Sequence, residues 1–408
     1  MEEWKTYKIG NLCSISSSKR IFAKEYQSSG IPFFRGKEII EKQKGESVST
    51  ELYISKSRYD EIKNKFGVPK EGDMLLTSVG TLGIPYIVKN ETFYFKDGNL
   101  TWFTDFKEIN SKFLYYWFLS PIAKNAINAK AIGSTQKALT IDALSKFEID
   151  IPNIDTQNRI VSILSSLDSK IELNRRINDN LEQQAQALFK SWFVEKPNPQ
   201  WTKGSLSDIA SFVGGYSYKG DELVDSSNTG MATIKNYNRS GGFKTDGFKA
   251  INPSDKVKNA QYAELFEILV AHTDLTQNAE VIGNAELVLS LGEYNKIIFS
   301  MDLVKVLPSS SFPYRFLIAA MLKNKLFKGH CQGYVNGTTV LHLNKKALPE
   351  YKVMIPTDTE AKKMNEILGG YYKRMSENLK ENDMLEQLRD TILPKLMSGE
   401  LKINDLNC

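Results

Sequence analysis

The feature that most limits what this chain can fold into is that it repeats itself. Trp4-Lys-Thr-Tyr-Lys-Ile9-Gly-Asn-Leu12 returns as Trp201-Thr-Lys-Gly-Ser-Leu206-Ser-Asp-Ile209, with the tryptophan and both aliphatic positions 197 residues apart. Gly72-Asp-Met-Leu-Leu-Thr77 has a counterpart in Phe266-Glu-Ile-Leu-Val-Ala271, each read as a turn followed by a short buried strand. Gly133 with Ile149-Asp-Ile151-Pro152 answers to Gly337 with Val353-Met-Ile355-Pro356, both glycines and both prolines 204 residues apart. Three matches in order at nearly constant offset mean duplication, and internal repeats of this kind govern the whole architecture. The 408 residues exceed one ordinary core and suit two domains with connectors.

After each Ile-Pro comes a short polar turn and then a long helical pattern. From Gln157 to Trp192 there is neither Gly nor Pro, and Ile160, Leu164, Leu167, Ile171, Leu181, Ala185, Leu188 and Trp192 follow heptad spacing. The second copy reads Met364, Leu368, Tyr371, Met375, Leu385 and Ile392, with Arg389 as a polar break. Asn174 and Asn178 fill the gap in the first seam, and Asn378 and Asn382 fill it in the second. A paired Asn in an apolar seam costs stability but sets register. Antiparallel packing about the midpoint would bring Asn174 and Asn178 opposite Asn382 and Asn378. The expected fold is α+β: two pseudo-repeated mixed α/β domains separated by two long helices that form an antiparallel coiled coil. The expected divisions are 1–152, first domain; 153–196, first helix; 197–356, second domain; 357–408, second helix and tail.

The net charge of +5, from 53 basic and 48 acidic residues, says little until it is located. Residues 1–150 hold 22 basic and 18 acidic side chains and residues 201–355 hold 17 and 14, so the excess lies in the two globular parts. That is where a phosphate backbone would be met. Polar stretches between the apolar strands supply the candidate contacts. In the first domain they are Arg35 and Lys37, the hydroxyls of Ser78 and Thr81 in a glycine-rich loop, and Ser134, Thr135, Gln136 and Lys137 before a short helix expected over 138–144. In the second they are Lys219, Lys235, Asn236, Thr273, Thr276, Asn336, Thr338 and Thr339. Hydroxyls, amides and backbone N–H groups position a protein on phosphates, while Gln, Asn, Lys and Arg can read base edges. The same positions of a duplicated frame are polar in both copies, yet the side chains differ, as reading two different half-sites would require.

Catalytic constellations are missing. There is no Gly-x-x-x-x-Gly-Lys-Ser/Thr loop and no Asn-Pro-Pro-aromatic tetrad, since Asn198-Pro199-Gln200 and Asn252-Pro253-Ser254 fail at the third position. His330, Cys331 and His342 lack zinc-site spacing. No catalytic residue, metal or cofactor is therefore expected. Cys13, Cys331 and Cys408 are scattered and odd in number, which fits free thiols in a reducing cytoplasm. No signal peptide or membrane span is read, so no membrane partner is expected.

The chain resembles the specificity subunit family of type I restriction–modification systems. The likeness rests on the Trp4 and Trp201 openings, the Ile151-Pro152 and Ile355-Pro356 entries and Gln157-x-x-Ile160. It also rests on Leu188-Phe189-Lys-Ser-Trp192-Phe193 and the terminal run Leu385 to Glu400. The resemblance implies a non-catalytic, sequence-specific DNA-recognition subunit whose two domains each read half of a bipartite, asymmetric duplex site. It implies helices that set the unspecified gap and dock two methyltransferase subunits, with restriction subunits as further partners. Two departures stand out: position 361, opposite Gln157, is Ala, and Arg389 interrupts the second seam. A self-contained DNA-modifying or DNA-cleaving enzyme, or a coiled-coil scaffold that binds no nucleic acid, are the alternatives the residues leave open.

Overall fold

The structure is a computed structural model and describes residues 4–45, 48, 50–130, 138–239, 241–276 and 278–402. The chain divides into two compact units, Met1–Glu172 with Leu385–Cys408, and Leu173–Met384.

In the first unit, Lys5–Lys8 pairs antiparallel with Glu148–Ile151, so the strand after Trp4 is closed by the strand that leads to Pro152. Ile149 and Ile151 alternate inward between exposed Glu148 and Asp150, the two-residue period of a half-buried strand. Ser14–Ser16, Leu100–Thr104, Met74–Thr77 and Pro85–Ile87 form an antiparallel sheet in that order. A smaller sheet sets Ile31–Phe34 between Tyr53–Ile54 and Tyr94–Phe95, the last pairing parallel.

The second unit repeats this plan. Thr202–Ser205 pairs with Lys352–Ile355. Ala210–Gly214, Leu303–Pro308, Ile268–Ala271 and Ala285–Leu287 form the four-stranded antiparallel sheet. Thr229–Ala232 sits between Lys249–Ala250 and a parallel Lys296–Phe299, with Tyr262–Ala263 added at the edge. The two matched segments, Met74–Thr77 and Ile268–Ala271, hold the same place in their sheets. Gly72 and its counterpart Phe266 both take left-handed backbone, at φ 91° and 66°. Such a conformation strains a phenylalanine; its ring meets Phe316 edge-on with centroids 5.5 Å apart.

Each unit closes its core with an aromatic or aliphatic helix, Ser111–Leu119 in one and Arg315–Leu322 in the other. The first core also contains Ile160, Val161, Leu164, Leu393, Leu396 and Met397, and the second contains Ala185, Phe189, Ala361, Leu368, Tyr372 and Met375. The ends of the long helices are therefore parts of the globular cores, not free-standing rods. Those helices run from Ile154 to Phe189, continued by a wider turn over Lys190–Glu195, and from Asp358 to Met397. Burial follows the expected heptads with three shifts: Phe189, Tyr372 and Leu393 are the buried positions where the seam reads Leu188, Tyr371 and Ile392. The helix face is turned to pack on a globular core as well as on its partner helix.

Within the second unit Asn174 Nδ2 donates to Asn382 Oδ1 and to Glu381 Oε2, each at 2.9 Å. Asn378 Nδ2 donates to Asn178 Oδ1 at 2.8 Å, and Asn178 Nδ2 to the Met375 carbonyl at 3.2 Å. All four Asn side chains are buried, and their pairing order makes the helices antiparallel. Within the first unit Arg389 is no simple interruption. Its guanidinium lies 2.9 Å from Asp168, whose other oxygen accepts from the Tyr116 hydroxyl at 2.6 Å. Burial pulls against the Arg389 charge, but the Asp168 hydrogen bond and charge outweigh it. The other departure has a local reason too. Gln157 is fully buried and spans Asn110 N, the Glu108 carbonyl and the Pro152 carbonyl. In the second unit Asn365 does the comparable work, its Oδ1 accepting from Phe316 N and Leu317 N, which leaves Ala361 free to fill core.

Candidate nucleic-acid interface

In the second unit the candidate loops converge on one turn, Ser300-Met301-Asp302. Tyr216 N donates to the Phe299 carbonyl at 2.7 Å and Met301 N to the Tyr216 carbonyl at 2.9 Å, which anchors the loop that carries Lys219. Ser300 N bonds the Ala232 carbonyl at 2.9 Å, bringing in the segment that carries Lys235. His272 N donates to the Asp302 carbonyl at 2.8 Å, and Thr273 Oγ1 to Asp302 Oδ1 at 2.9 Å, bringing in 272–276. Thr273–Asp274 then pairs with Leu341–Leu343, which pairs with Val335–Asn336. Thr273, Thr276, Asn336, Thr338 and Thr339 thus belong to one small sheet and its adjoining loops. Among the described residues of the first unit, the bridge of Val79 to Ala138 stands in the place of that sheet.

The expected contacts sort by what their side chains already do. Lys219 and Lys235 are exposed, as are Asn336, Thr338 and Thr339 around the left-handed Gly337. Thr276 is half-buried and its hydroxyl donates to Asp274 Oδ1 at 2.9 Å. Asn236 and Thr273 are buried. The Asn236 amide accepts from Thr233 N at 2.9 Å and donates to the Lys244 carbonyl at 2.8 Å, so it builds the loop and does not face a ligand.

In the first unit the loops over 34–37, 77–83 and 96–99 also meet. Lys96 N bonds the Phe34 carbonyl, Ser78 N the Asn99 carbonyl and Leu139 N the Ser78 carbonyl, all at 2.8–2.9 Å. Lys37 and Thr81 are exposed there, Lys37 lying 3.6 Å from Glu41. Arg35 is half-buried and committed. Its guanidinium is 2.7 Å from the fully buried Glu38, whose second oxygen accepts from Arg35 N. Ser78 is buried, with its hydroxyl bonded to the Leu76 carbonyl and to Thr101. Ser78, Asn236 and Thr273, expected among the DNA contacts, are buried in this structure with their polar groups paired within the protein, as buried polar groups generally are. Ser134, Thr135, Gln136 and Lys137 lie outside the described residues. The short helix expected over 138–144 runs instead from Ile141 to Ser145, because Thr140 Oγ1 accepts from Ala143 N and caps it there.

Several residues at the second-unit cluster have no signal in sequence. His342 is exposed on the strand directly between Thr273 and Asn336. Leu275 and Met301 are 67% and 56% exposed beside the converging loops. A lone histidine or an apolar residue in a loop becomes a candidate only when folding shows its neighbours. Glu222, by contrast, explains why the Lys219 loop holds its shape. The Tyr216 hydroxyl and the Lys219 and Ser254 backbone amides donate to its carboxylate and bring its pKa down to about 2.

His272, at the convergence point, has its pKa held below the ordinary histidine value by burial first and then by His342 and Lys345. The unfolded chain therefore takes up this proton at higher pH than the folded one, so stability falls as pH drops below about 6.5. Melting temperatures at pH 7.5 and 5.5 should show that loss, and His272→Gln should reduce it. An identical acid sensitivity in the variant would assign the effect elsewhere.

Among the described residues no group of three or more His, Cys, Asp or Glu could hold a metal ion. No described helix is long and apolar enough to cross a membrane. Cys13 and Cys331 are free and buried, and burial pushes both thiols up to about 12.

Comparison with known proteins then decides the family. The model of the type I restriction modification DNA specificity domain matches twice, over residues 1–183 and 198–387. The chain belongs to this family. It is a type I restriction–modification specificity subunit with two DNA specificity domains. Relatives named as type I restriction enzyme specificity subunits agree. S.HindORF215P of Haemophilus influenzae is 35% identical over 167 residues, 40% of either chain. The MjaIX specificity subunit of Methanocaldococcus jannaschii is 24% identical over 99% of this chain and 95% of its own. The fold resembles the crystal structure of a type I system S subunit from M. genitalium, with a TM-score of 0.55 and 19% identity over 97% of this chain and 96% of that one.

Proposed function

We propose that each DNA specificity domain reads one half of a bipartite, asymmetric duplex site and that the long helices set the gap between the halves. The observation that carries this reading is the duplicated framework with unlike polar loops: exposed Lys37 and Thr81 on one copy, exposed Lys219, Lys235, Asn336, Thr338 and Thr339 with half-buried Thr276 on the other. One frame with two loop sets recognises two sequences. Ser134, Thr135, Gln136 and Lys137 extend the first set, and Arg35 supports it through Glu38. The four paired Asn hold the helix register. The functional divisions follow the helix entries, 1–152 and 197–356 for the two readers and 153–196 and 357–408 for the helices.

Two methyltransferase subunits dock on the helical region and perform the chemistry, and restriction subunits join that assembly in the cytoplasm. The target base leaves the stack to reach the partner enzyme, as base-modifying enzymes require. Lysine contacts to phosphate supply salt-dependent affinity, and a few side chains supply discrimination.

Mapping methylated sites in cells that carry the chain with its methyltransferase partners tests the reading. A single motif with two defined halves and an unspecified gap is expected. A continuous motif, or duplex binding by the purified complex that does not weaken between 50 and 200 mM salt, would sink it.

A further inference from the structure

The second unit contains a buried charge network whose members come from a domain helix, a sheet strand and both long helices. Lys323 ends the helix Arg315–Leu322 and its side chain is only 8% exposed. Its ammonium lies 3.1 Å from Glu182 of the first long helix and forms an ion pair with Glu286, on the strand Ala285–Leu287. It also sits 5.9 Å from the ring of Tyr372 on the second long helix. The other oxygen of Glu286 accepts from Gly242 N at 2.7 Å. Gly242 in turn receives Asn238 N at 3.0 Å through its carbonyl, and Lys244 N closes onto the Asn236 carbonyl at 2.9 Å. Ion pairs and hydrogen bonds therefore run from the first long helix to the loop that presents Lys235, and a cation–π contact joins the second long helix to them.

We infer that Lys323 is a positioning residue which holds the reading loop of the second specificity domain in fixed alignment with the helix pair, so that reading of this half-site and the length of the gap are coupled. A buried ion network is a poor way to gain stability, because desolvation of the charges offsets their attraction. It is directional, however, and tolerates one arrangement of the three elements where apolar packing would tolerate several. The first unit shows the same arrangement in different chemistry: Tyr116 of a domain helix, Asp168 of the first long helix and Arg389 of the second form one cluster. Both recognition domains are thus tied to both long helices by polar groups, where greasy contacts alone would suffice for cohesion. The inference rests on the bipartite reading proposed above.

The test replaces the charges of the network by uncharged residues of similar size in the full chain, assembled with its methyltransferase partners. In the Lys323→Met, Glu182→Met, Glu286→Gln variant the glutamine still accepts from Gly242 N. Melting temperature and methylation of a duplex library with the gap varied by one base pair in each direction are measured together. The expected result is an unchanged or raised melting temperature with the preference for the native gap reduced about tenfold. Lys323→Arg, which keeps both ion pairs, should retain the wild-type preference. Should the triple variant not fold, Glu182→Leu alone cuts the link to the first helix and should lower the preference in the same direction. A folded variant that discriminates gaps as sharply as wild type overturns the inference. Wild-type protein that shows no gap preference at all would instead count against the bipartite reading itself.

Discussion

Removing residues 171–177 together with residues 379–385 is expected to shorten the gap in the methylated site by about three base pairs while leaving both half-sites unchanged. Those heptads face each other, because Asn174 pairs with Asn382 and Asn178 with Asn378. Each helix loses about 10 Å at 1.5 Å per residue, and B-DNA rises about 3.4 Å per base pair. Seven residues are close to two full turns, so the flanking seams rejoin with a rotation of only about 20°. The deletion keeps the Asn178–Asn378 pair and the Asp168–Arg389 pair. Deleting only one of the two heptads leaves a helix face unmatched and should give an unstable chain. Methylation mapping reads the outcome directly, and an unchanged gap would remove the helices from any part in setting it.

Gly215→Ala should abolish reading by the second domain. A Cβ at this position would stand 1.9 Å from the Ser300 carbonyl oxygen, 2.4 Å from its carbon and 2.7 Å from the Phe299 carbonyl oxygen. All three are backbone atoms, so no side chain can move aside, and the Ser300–Asp302 turn must shift. That turn is where the segments carrying Lys219, Lys235 and Thr276 are joined. Overpacking of this kind costs about 1–3 kcal/mol, and here the displacement falls on the proposed DNA face. Methylation at the native site should drop by at least 100-fold. A fragment-resolved hydrogen-exchange comparison should show lost protection near 214–219 and 299–303, with the first unit unaffected. Wild-type methylation in this variant would mean that the convergence of these loops does not matter to recognition.

How much of this was legible beforehand depends on the kind of residue. The duplication, the strand openings after Trp4 and Trp201 and the Ile-Pro helix entries are local patterns, and the same sheet order recurs where they repeat. The helix seam was legible to within one residue, failing at Phe189, Tyr372 and Leu393 because a face that packs on two neighbours is wider than a simple heptad stripe. Arg389 read as a flaw since Asp168 lies 221 positions away in the chain. The candidate site was legible as a set of loops, not as a set of side chains. Ser78, Asn236 and Thr273 have the right chemistry for DNA but are buried and paired inside their loops, while His342 entered only through its place between Thr273 and Asn336. Hydroxyl and amide groups serve loop construction and ligand contact equally well, so composition cannot separate the two uses.

By itself the sequence determined the repeat, the alternation of apolar and polar residues within each element, and the long uninterrupted helices, because these depend on neighbours a few positions apart. Only the tertiary structure decided which polar groups are consumed internally, and that Lys323, Glu182, Glu286 and Tyr372 form one buried network. The physical reason is distance along the chain. A charge becomes a partner, and a hydroxyl becomes buried, through contacts between segments that only the folded chain brings together.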